Sequence, residues 1–598
     1  MIGLYFSNKS KPKSGFVEVL DSDNQDFKIK TFNNLNFNIG LVYPSFNEEN
    51  AFAQSFDNWI LIDGFIFNEK GAQISANTIL KRIIEEGEEV INSFNGEFFM
   101  ALFLNGKLRF QNDILGQRQH CIAQNKSDTA IAPSPGKALD LIGATRKIDK
   151  EALFIFINTK KLRHHENTIW QNCKIITYAS VLTYETGEIK VNRYWEFKQS
   201  KTLHHFDVDE FIHIYKKAVN SRVLKDKVGL TLTGGLDSRS MLAAVDVNSR
   251  AKIRSTTMGM EDCDEVNIAK KVAKKINVNH QAFTIEPEAI FSEEALNYFN
   301  NEDVDLLTQG LWLPYTSSLK GIPYLLHGLD LDVTLGGIYL TEELLNIKSE
   351  NDFKQFVLKD NLRLDSTAHK KLFKASLLQE LEIDIHTYII DLLGEQVTDD
   401  FVDSYDKFIM KYSMNRVILQ RYRSIRNNIE TISPMYDRNL IAYLLSIPTN
   451  ERANYKAFFP FINKLTPELC KIEYQRTGLP ANVDVKFWKE SQQIESTKEE
   501  LNRKIALDSK GENFIPYKRY YTNVDEWMRF NEKWKNVITD LLQSEKSILR
   551  KEWVNADYLD TIITNHQNHV TSNFGLIQCL MSAEVYLRIE KFGKIELS

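Results

Sequence analysis

The chain has 598 residues, 43% of them hydrophobic and 26% charged, which predicts a globular protein with two or more domains. Its net charge of −6 excludes a general affinity for nucleic acid, because that affinity needs a basic face. No run of 18 apolar residues occurs, so we expect no membrane-spanning segment.

The five cysteines indicate a reducing compartment. They are scattered along the chain, form no Cys-x-x-Cys pair and have no zinc-ligand spacing: Cys121, Cys173, Cys263, Cys470 and Cys579. The first residues, Met1 to Phe6, run directly into a polar stretch and lack the pattern of a signal peptide. We therefore expect a cytoplasmic protein.

The N-terminal third has the pattern of short strands with turn residues between them. Examples of such strands are 59–67, 97–104 and 174–184, and a helix is predicted over Ala76–Glu86. Strands at this spacing are typical of packed antiparallel sheets. A polar stretch at 198–206 then predicts a boundary between two domains.

The predicted domains are 1–198 and 206–598. In the second, helical runs alternate with apolar strands at 228–232, 253–257 and 323–326, which is typical of βαβ units and a parallel sheet. The regions 350–430 and 525–595 are predicted to be mostly helical, and the charged stretch 495–504 to be a solvated helix face.

The most informative motif follows the predicted strand at 228–232. An apolar run leads into a tight Gly-Gly turn and then into a helical run, with the motif residues Thr233, Gly234, Gly235, Leu236, Asp237 and Ser238. Such a turn points backbone N–H groups and a helix N-terminus at one place, which favours a phosphate. No Lys follows the glycines, so the motif is not a Walker A loop.

The acidic residue of this motif implies a metal ion. A carboxylate beside phosphates is repelled unless a divalent cation lies between them, so Asp237 predicts Mg²⁺ together with the phosphates. The motif resembles the pyrophosphate loop of ATP pyrophosphatases, with Thr233 in place of the usual Ser. That resemblance implies ATP as the cofactor and cleavage of ATP to AMP and pyrophosphate.

The order of motifs resembles the asparagine synthetase family over nearly the whole chain. The segments 63–68, 94–98, 112–118 and 132–139 are similar to that family's N-terminal motifs. The resemblance implies an Ntn-hydrolase-like αββα glutaminase-type domain, followed by an α/β ATP-pyrophosphatase (synthetase) domain with a parallel sheet and a helical extension.

The N-terminal part departs from the family at its catalytic position. Family members that use glutamine have a nucleophilic Cys at position 2, and this chain has Ile2, which carries no nucleophilic atom. Asp63 replaces a family Asn and would place a negative charge near a glutamine carboxylate. Cys121 is interpreted as a small buried hydrophobe. We predict a glutaminase fold without glutaminase activity.

The synthetase part matches the family at a second βα unit. The strand 254–259 is followed by a predicted helix, 265–276. The resemblance implies that Thr257 and Met258 contact the adenine. Asp264 matches a family Asp at the helix start, and a plain helix N-cap is the equal alternative.

The segment from His327 to Ile338 resembles the family's second acidic motif. The match implies that Gly328 lies in the nucleotide site and that Asp332 holds Mg²⁺ together with Asp237, and Gly336 and Gly337 predict a tight turn. Leu329 stands where the family has a Glu that is linked to binding and proton transfer. Asp330 or Tyr436 could supply the missing proton acceptor, and this choice stays open.

Two basic residues complete the predicted site. By resemblance, Lys456 contacts pyrophosphate, and Arg476 takes the place of a catalytic Lys that stabilises the anionic intermediate. Arg476 keeps the positive charge and offers a bidentate contact, but it cannot donate a proton near pH 7. A surface lysine and an ion-paired arginine are the alternatives.

The function that this pattern favours is an AMP-forming carbon–nitrogen ligase, which adenylates a carboxylate for attack by an amine that its own glutaminase site does not supply. A role in natural-product biosynthesis or polysaccharide modification fits the departures from the family at Ile2, Leu329 and Arg476. The implied partners are a small-molecule or peptide carboxylate and an amine, with no nucleic acid and no membrane, and a homodimer stays open. The alternatives are a degenerate nucleotide-binding scaffold, an asparagine synthetase that uses free ammonia, and an amidotransferase with an unusual nucleophile.

Overall fold

The structure is a computed structural model that describes the chain except residues 9–15, 17–18, 21–25, 34–35, 161–165, 186, 199, 201, 307–309, 329–330, 336–338, 395, 399, 510–512, 514–517, 596 and 598. The side chains of residues 415–418 and 485 are also outside the description. Leu329, Asp330, Gly336 and Gly337, which the sequence singles out, therefore lie outside the described residues.

Two six-stranded antiparallel sheets form the N-terminal part. The first has the order β10-β8-β9-β1-β3-β2 and the second the order β12-β11-β7-β6-β5-β4. The strands are β1 Gly3–Ser7, β2 Phe27–Asn33, β3 Asn38–Pro44, β4 Phe52–Ser55, β5 Asn58–Phe67, β6 Asn95–Leu104, β7 Lys107–Asn112, β8 His120–Gln124, β9 Thr129–Ala132, β10 Cys173–Ile176, β11 Ser180–Glu185 and β12 Glu188–Arg193.

The two sheets pack face to face because their strands alternate in side-chain direction. Phe6 and Leu41 of the first sheet meet Leu61 and Phe110 of the second in one buried cluster. The helix Ala76–Glu86, which the sequence predicts with the same bounds, packs on the outer face of the second sheet. The predicted antiparallel class of this part is therefore confirmed.

One predicted strand is wrong. The sequence predicts a single strand over 174–184, but the structure divides it into β10 and β11, which belong to different sheets. Ala179 has a left-handed φ of 49°, and its amide donates to the carbonyl of Asp113. The apolar pattern is continuous because both halves are buried, so periodicity alone does not mark this bend.

A five-stranded parallel sheet forms the centre of the C-terminal part, with the order β15-β14-β13-β16-β17. The strands are β13 Val228–Thr231, β14 Ile253–Gly259, β15 Asn279–Thr284, β16 Tyr324–Leu326 and β17 Glu430–Ile432. The predicted α/β class with a parallel sheet is confirmed. β13 is the central strand, so the glycine turn that follows it lies at the middle of the sheet's carboxyl edge.

Helices surround this sheet and form most of the C-terminal extension, as the sequence predicts. Four helices bear on the site: α1 Leu236–Ala244, α2 Asp264–Ile276, α3 Leu331–Thr334 and α4 Leu419–Arg426. Besides Ala76–Glu86, the other α-helices among the described residues are Glu48–Ala51, Pro135–Ile142, Lys150–Asn158, Val208–Ser221, Glu293–Phe299, Trp312–Ser317, Glu342–Leu345, Glu350–Asn361, Ser366–Leu372, Ala375–Leu381, Ile385–Gly394, Phe401–Phe408, Arg438–Ser446, Thr449–Arg452, Phe458–Leu465, Pro467–Cys470, Val485–Asp508, Val524–Phe530, Glu532–Ile538, Ala556–Gln567 and Phe574–Phe592.

The polar boundary near 198–206 separates the sheets but not the hydrophobic core. One cluster of buried residues includes Leu153 and Phe156 of an N-terminal helix together with Cys579 and Ala583 of a C-terminal helix. The two parts therefore bury apolar surface against each other, and this burial stabilises the folded state of both. No helix among the described residues is long and apolar enough to span a membrane.

Candidate nucleotide site

The glycine turn connects the central strand β13 to helix α1. Gly235 is the helix N-cap, and the turn is held by its own hydroxyl groups. The Ser238 hydroxyl accepts from the Thr233 amide at 3.0 Å, and the Thr233 hydroxyl accepts from the Gly235 amide at 3.1 Å. The turn is thus shaped without a ligand, and it lines a cavity of about 240 Å³ at the carboxyl edge of the sheet.

A later segment of the chain packs directly on this turn. Gly234 permits the contact, because a Cβ atom there would lie 2.7 Å from the Gln475 Cβ. The Gln475 amide donates to the Gly234 carbonyl at 3.2 Å. The buried Arg239 guanidinium also donates to the carbonyls of Gly234 and Glu473. These contacts bring Arg476 into the cavity, and sequence reasoning did not identify Arg239 or Gln475.

Two carboxylates meet in the cavity, as the sequence predicts. The amide of Asp332, on α3, donates to Oδ2 of Asp237 at 3.4 Å. Burial and the charge of Asp332 raise the pKa of Asp237 well above its ordinary value. Burial likewise raises the pKa of Asp332, and Arg476 opposes the rise.

This pair fits a divalent cation. Carboxylate oxygens are hard ligands, and an ion between them would remove the repulsion that raises both pKa values. The described residues offer no cluster of three or more acidic, histidine or cysteine side chains here. The remaining ligands of Mg²⁺ would therefore be phosphate oxygens and water.

Arg476 supplies positive charge to the same cavity. Its Nη1 donates to the Tyr455 hydroxyl at 3.2 Å, and its guanidinium lies 5.9 Å from the centre of the Tyr474 ring. Burial lowers the pKa of Arg476, but Tyr474, Tyr455 and the two acids outweigh burial and raise it overall. Arg476 is therefore a permanent cation facing the two carboxylates.

Lys456 is not brought to this cavity. Its side chain is exposed, its Nζ donates to the Asn450 carbonyl at 3.2 Å, and it does not line the cavity. Asn454 and Tyr455 both have left-handed φ angles, of 54° and 64°, and this turn directs Tyr455 rather than Lys456 toward Arg476. The predicted contact of Lys456 with pyrophosphate has no support in this geometry.

The predicted adenine-binding positions lie at the carboxyl end of β14. Thr257 and Met258 both line the cavity, and the Thr257 hydroxyl donates to the Leu232 carbonyl. Gly328, after β16, lines the cavity as well, and a Cβ there would be 3.3 Å from the Ser238 Cα. Their roles toward a nucleotide stay predictions.

Glu265 is a cavity residue that the sequence reasoning missed. Asp264, the predicted position, is the first residue of α2; the N-cap is Cys263, and Asp264 does not line the cavity. Glu265 is 8% exposed and accepts from the Gly234 amide and the Thr233 hydroxyl. Burial raises the pKa of Glu265 to about 7. The sequence signal for this position was the pair of acidic residues, Asp264 and Glu265, at the start of the helix. The helical register turns Glu265, and not Asp264, toward the cavity.

The suggested proton acceptor Tyr436 is also placed elsewhere. It is buried, its ring packs against Tyr422 at 6.1 Å between centres, and it does not line the cavity. Its geometry therefore does not support a role as proton acceptor.

The N-terminal positions that carry the departure from the family are all buried. Ile2 is 1% exposed, and Cys121 lies inside β8 as a free thiol whose pKa burial raises. Asp63 forms an ion pair with Arg426 of α4, with 2.5 Å between Oδ1 and Nη2, and lies 3.9 Å from Arg118. Its negative charge therefore faces two arginines rather than an open pocket.

The fold and the cavity define an α/β domain with a glycine turn and a helix N-terminus at the carboxyl edge of a parallel sheet, an arrangement that suits a phosphate ligand. Residues 211–305, which contain this turn, match the model of the asparagine synthase family. The predicted resemblance is confirmed over these residues, and the match supports an ATP-using, ligase-type enzyme.

Comparison with other proteins adds little beyond this match. A search of curated proteins finds no match. A glutamine phosphoribosylpyrophosphate amidotransferase from B. subtilis, complexed with ADP and GMP, is similar at 11% identity and a TM-score of 0.22, over 47% of this chain and 65% of that one. The U34-tRNA thiolase NcsA from Methanococcus maripaludis, with its 4Fe–4S cluster, is similar at 15% identity and a TM-score of 0.20, over 52% and 79%. The first alignment spans less than two thirds of that enzyme, and scores this low carry no argument about function.

Proposed function

We propose that this protein is an ATP-dependent ligase that forms an amide bond through an acyl-adenylate. The observation that supports this proposal best is the convergence of the glycine turn, the Asp237–Asp332 pair and Arg476 on one cavity. Mg²⁺ held by the two acids would neutralise phosphate charge as pyrophosphate leaves. The proposed domains remain 1–198 and 206–598.

The proposed reaction has two steps. A carboxylate oxygen of the acid attacks the α-phosphorus of ATP, the bond to the β-phosphate breaks, and pyrophosphate leaves with its electron pair. An amine nitrogen then attacks the acyl carbon, AMP leaves, and the nitrogen loses a proton. Arg476 would stabilise the developing negative charge by its fixed position, since it cannot transfer the proton.

We also infer that the N-terminal part does not release ammonia from glutamine. The five cysteines lie in the described part of the chain and all of them are buried, so none presents an accessible thiolate. The Asp63 carboxylate is held between Arg426 and Arg118. The amine would then be free ammonia, a second substrate, or an amine of the same molecule.

ATP–pyrophosphate exchange tests this function, because exchange requires an adenylate. The protein would be screened with aspartate, other amino acids, small dicarboxylates, sugar acids and peptides. Asp237→Asn should abolish the acid-dependent exchange, because the site would lose one of the two carboxylates proposed to hold Mg²⁺ beside the phosphates. Asp246→Asn, an exposed acid just after α1, is the matched control and should exchange like the unmodified protein.

Each other outcome decides between the alternatives. Exchange with aspartate and amide formation from ammonia alone would favour the ammonia-dependent asparagine synthetase. Binding of Mg²⁺ and ATP with no exchange for any acid would contradict the ligase and favour a nucleotide-binding scaffold.

A further inference from the structure

The long helix Val485–Asp508 carries a line of apolar side chains on its outer side, and it contains the stretch 495–504 that the sequence predicts to be a solvated face. Four of its large apolar residues are between 41% and 56% exposed: Phe487, Ile494, Leu501 and Ile505. They are seven, seven and four residues apart, so at about 100° per residue they lie within an arc of about 40°. We call this line, which is about 27 Å long, the apolar stripe.

The helix is attached to the rest of the protein through a different side. Trp488 packs against the Tyr474 ring at 4.8 Å between ring centres, and Glu495 pairs with Arg519 at 3.1 Å. Every residue from 496 to 501 is exposed, so the middle of the helix stands clear of the rest of the protein. A continuous apolar line on such a helix is typical of a surface that a second helix covers.

Charged residues of alternating sign follow one edge of the apolar stripe. From the N-terminal end they are Lys486, Glu490, Lys504 and Asp508, and all four are exposed. Lys504 pairs with Glu500 of its own helix at 2.8 Å, but an exposed pair of this kind is weak. When the order of the four charges is reversed, each positive residue meets a negative one. The edge is therefore complementary to itself in an antiparallel arrangement.

We propose that the apolar stripe binds the apolar stripe of a second copy of this chain, with the two helices antiparallel. The two-fold axis of such a pair brings the same edge of both helices together. Lys486 then faces Asp508 of the second copy, and Glu490 faces Lys504. Both pairings are centred on Thr497, so a single register satisfies them. This inference does not depend on the proposed function.

The same register also aligns the apolar side chains. Phe487 of one copy lies beside Ile505 of the second copy, and Ile494 lies beside Leu501, so the two stripes cover each other. A parallel pair would instead bring the charged edge against the opposite edge of the helix, where Lys498 supplies a single positive charge. One helix from each copy buries less than the standard of about 800 Å² per partner, so the dimer should dissociate on dilution.

Sedimentation equilibrium over a wide range of protein concentrations tests the contact. The mass should rise from 69.3 kDa toward twice that value as the concentration increases. Ile494→Glu should weaken dimerisation at least about 100-fold, because each dimer would bury two unpaired carboxylates. Leu507→Glu changes an exposed apolar residue of the same helix outside the stripe, and this matched control should dimerise like the unmodified protein.

Two outcomes of this measurement would overturn the proposal. A protein that stays monomeric at every concentration would leave the stripe for a helix of a different protein. Normal dimerisation of Ile494→Glu would place the dimer contact elsewhere on the surface.

Charge reversal and cross-linking test the antiparallel register. Glu490→Lys and Lys504→Glu should each weaken dimerisation about 10-fold, and the double variant should restore it, because both charges of each pair are then reversed. Thr497→Cys should form a disulfide-linked dimer under mild oxidation, since the two-fold axis passes beside it, whereas Lys486→Cys should not. The five native cysteines are buried, so they should not compete. Failure of the double variant to recover, or cross-linking of Lys486→Cys in preference to Thr497→Cys, would contradict the antiparallel pairing.

Discussion

At the scale of single residues, the site depends on contacts that no motif contains. Arg239 and Gln475 attach the segment before Arg476 to the Gly234 carbonyl. That attachment gives Arg476 a fixed position relative to the two acids. Lys456, twenty residues earlier, lies after a left-handed turn and is exposed.

The two basic residues are therefore expected to differ sharply in exchange assays. Arg476→Ala should lower the exchange rate by about 100-fold or more, because it removes a positioned charge from the cavity. Lys456→Ala should stay within about 3-fold, as is usual for an exposed side chain outside a site. Equal losses in both variants would show that the segment around Tyr455 rearranges when ATP binds.

Glu265 predicts a specific pH dependence of stability. Burial raises its folded pKa from 4.5 to about 7, so the folded state retains a proton that the unfolded state releases. Stability should fall as pH rises through this window, by up to about 3 kcal/mol at and above pH 7. The Gln side chain of Glu265→Gln cannot ionise, so this variant should lack the pH-dependent loss of stability that Glu265 causes.

Urea unfolding at pH 5 and pH 8 measures the effect. From pH 5 to pH 8, the free energy of unfolding of the Glu265→Gln variant should rise relative to that of the unmodified protein. The exposed Glu261→Gln is the matched control and should follow the unmodified protein at both values. A parallel pH dependence for Glu265→Gln would mean that Glu265 is ionised in the folded protein at pH 5.

At the scale of elements, buried ion pairs attach the N-terminal sheets to the C-terminal part. Asp63 of β5 pairs with Arg426 of α4, and Arg118 pairs with Glu430 of β17 at 2.5 Å. The same helix α4 carries Arg421 into the cavity. The N-terminal part therefore helps to hold one wall of the site.

Asp63→Ala should destabilise the protein by about 3–5 kcal/mol, because it removes the nearest carboxylate of the buried Arg426, which keeps Glu430 at 3.1 Å. Burial raises the pKa of Asp63, but Arg426, Arg118 and His120 outweigh burial and lower it below 3.8. The stabilisation is thus complete above pH 3.8 and is lost as pH falls through the depressed pKa. Denaturant midpoints at pH 7 measure the loss, and the exposed Asp57→Ala should be nearly neutral. A loss under 1 kcal/mol for Asp63→Ala would contradict a structural role for the pair.

At the scale of the whole molecule, the antiparallel sheets are expected to serve as a support rather than as a source of ammonia. Purified protein should release no glutamate from glutamine, with or without ATP and acid, because its thiols are buried. Cys121→Ser should leave exchange unchanged. Glutamate release that this substitution abolishes would overturn the inference and make Cys121 a nucleophile.

The sequence by itself determined the class of each part and the core of the site. Short-range patterns sufficed for the helix Ala76–Glu86, the strand β13 and the glycine turn, since each depends on neighbouring residues. The spacing of the second acidic motif also sufficed to pair Asp332 with Asp237. Periodicity misjudged the bend at Ala179, because a buried bend and a buried strand have the same apolar pattern.

Only the tertiary structure decided which charged residues meet. Arg476 enters the cavity and Lys456 does not, although both follow the family's spacing. Glu265 rather than Asp264 faces the turn, and Asp63 is neutralised from across the chain. The physical reason is that these outcomes depend on side-chain direction and on partners hundreds of residues away, which local pattern does not encode.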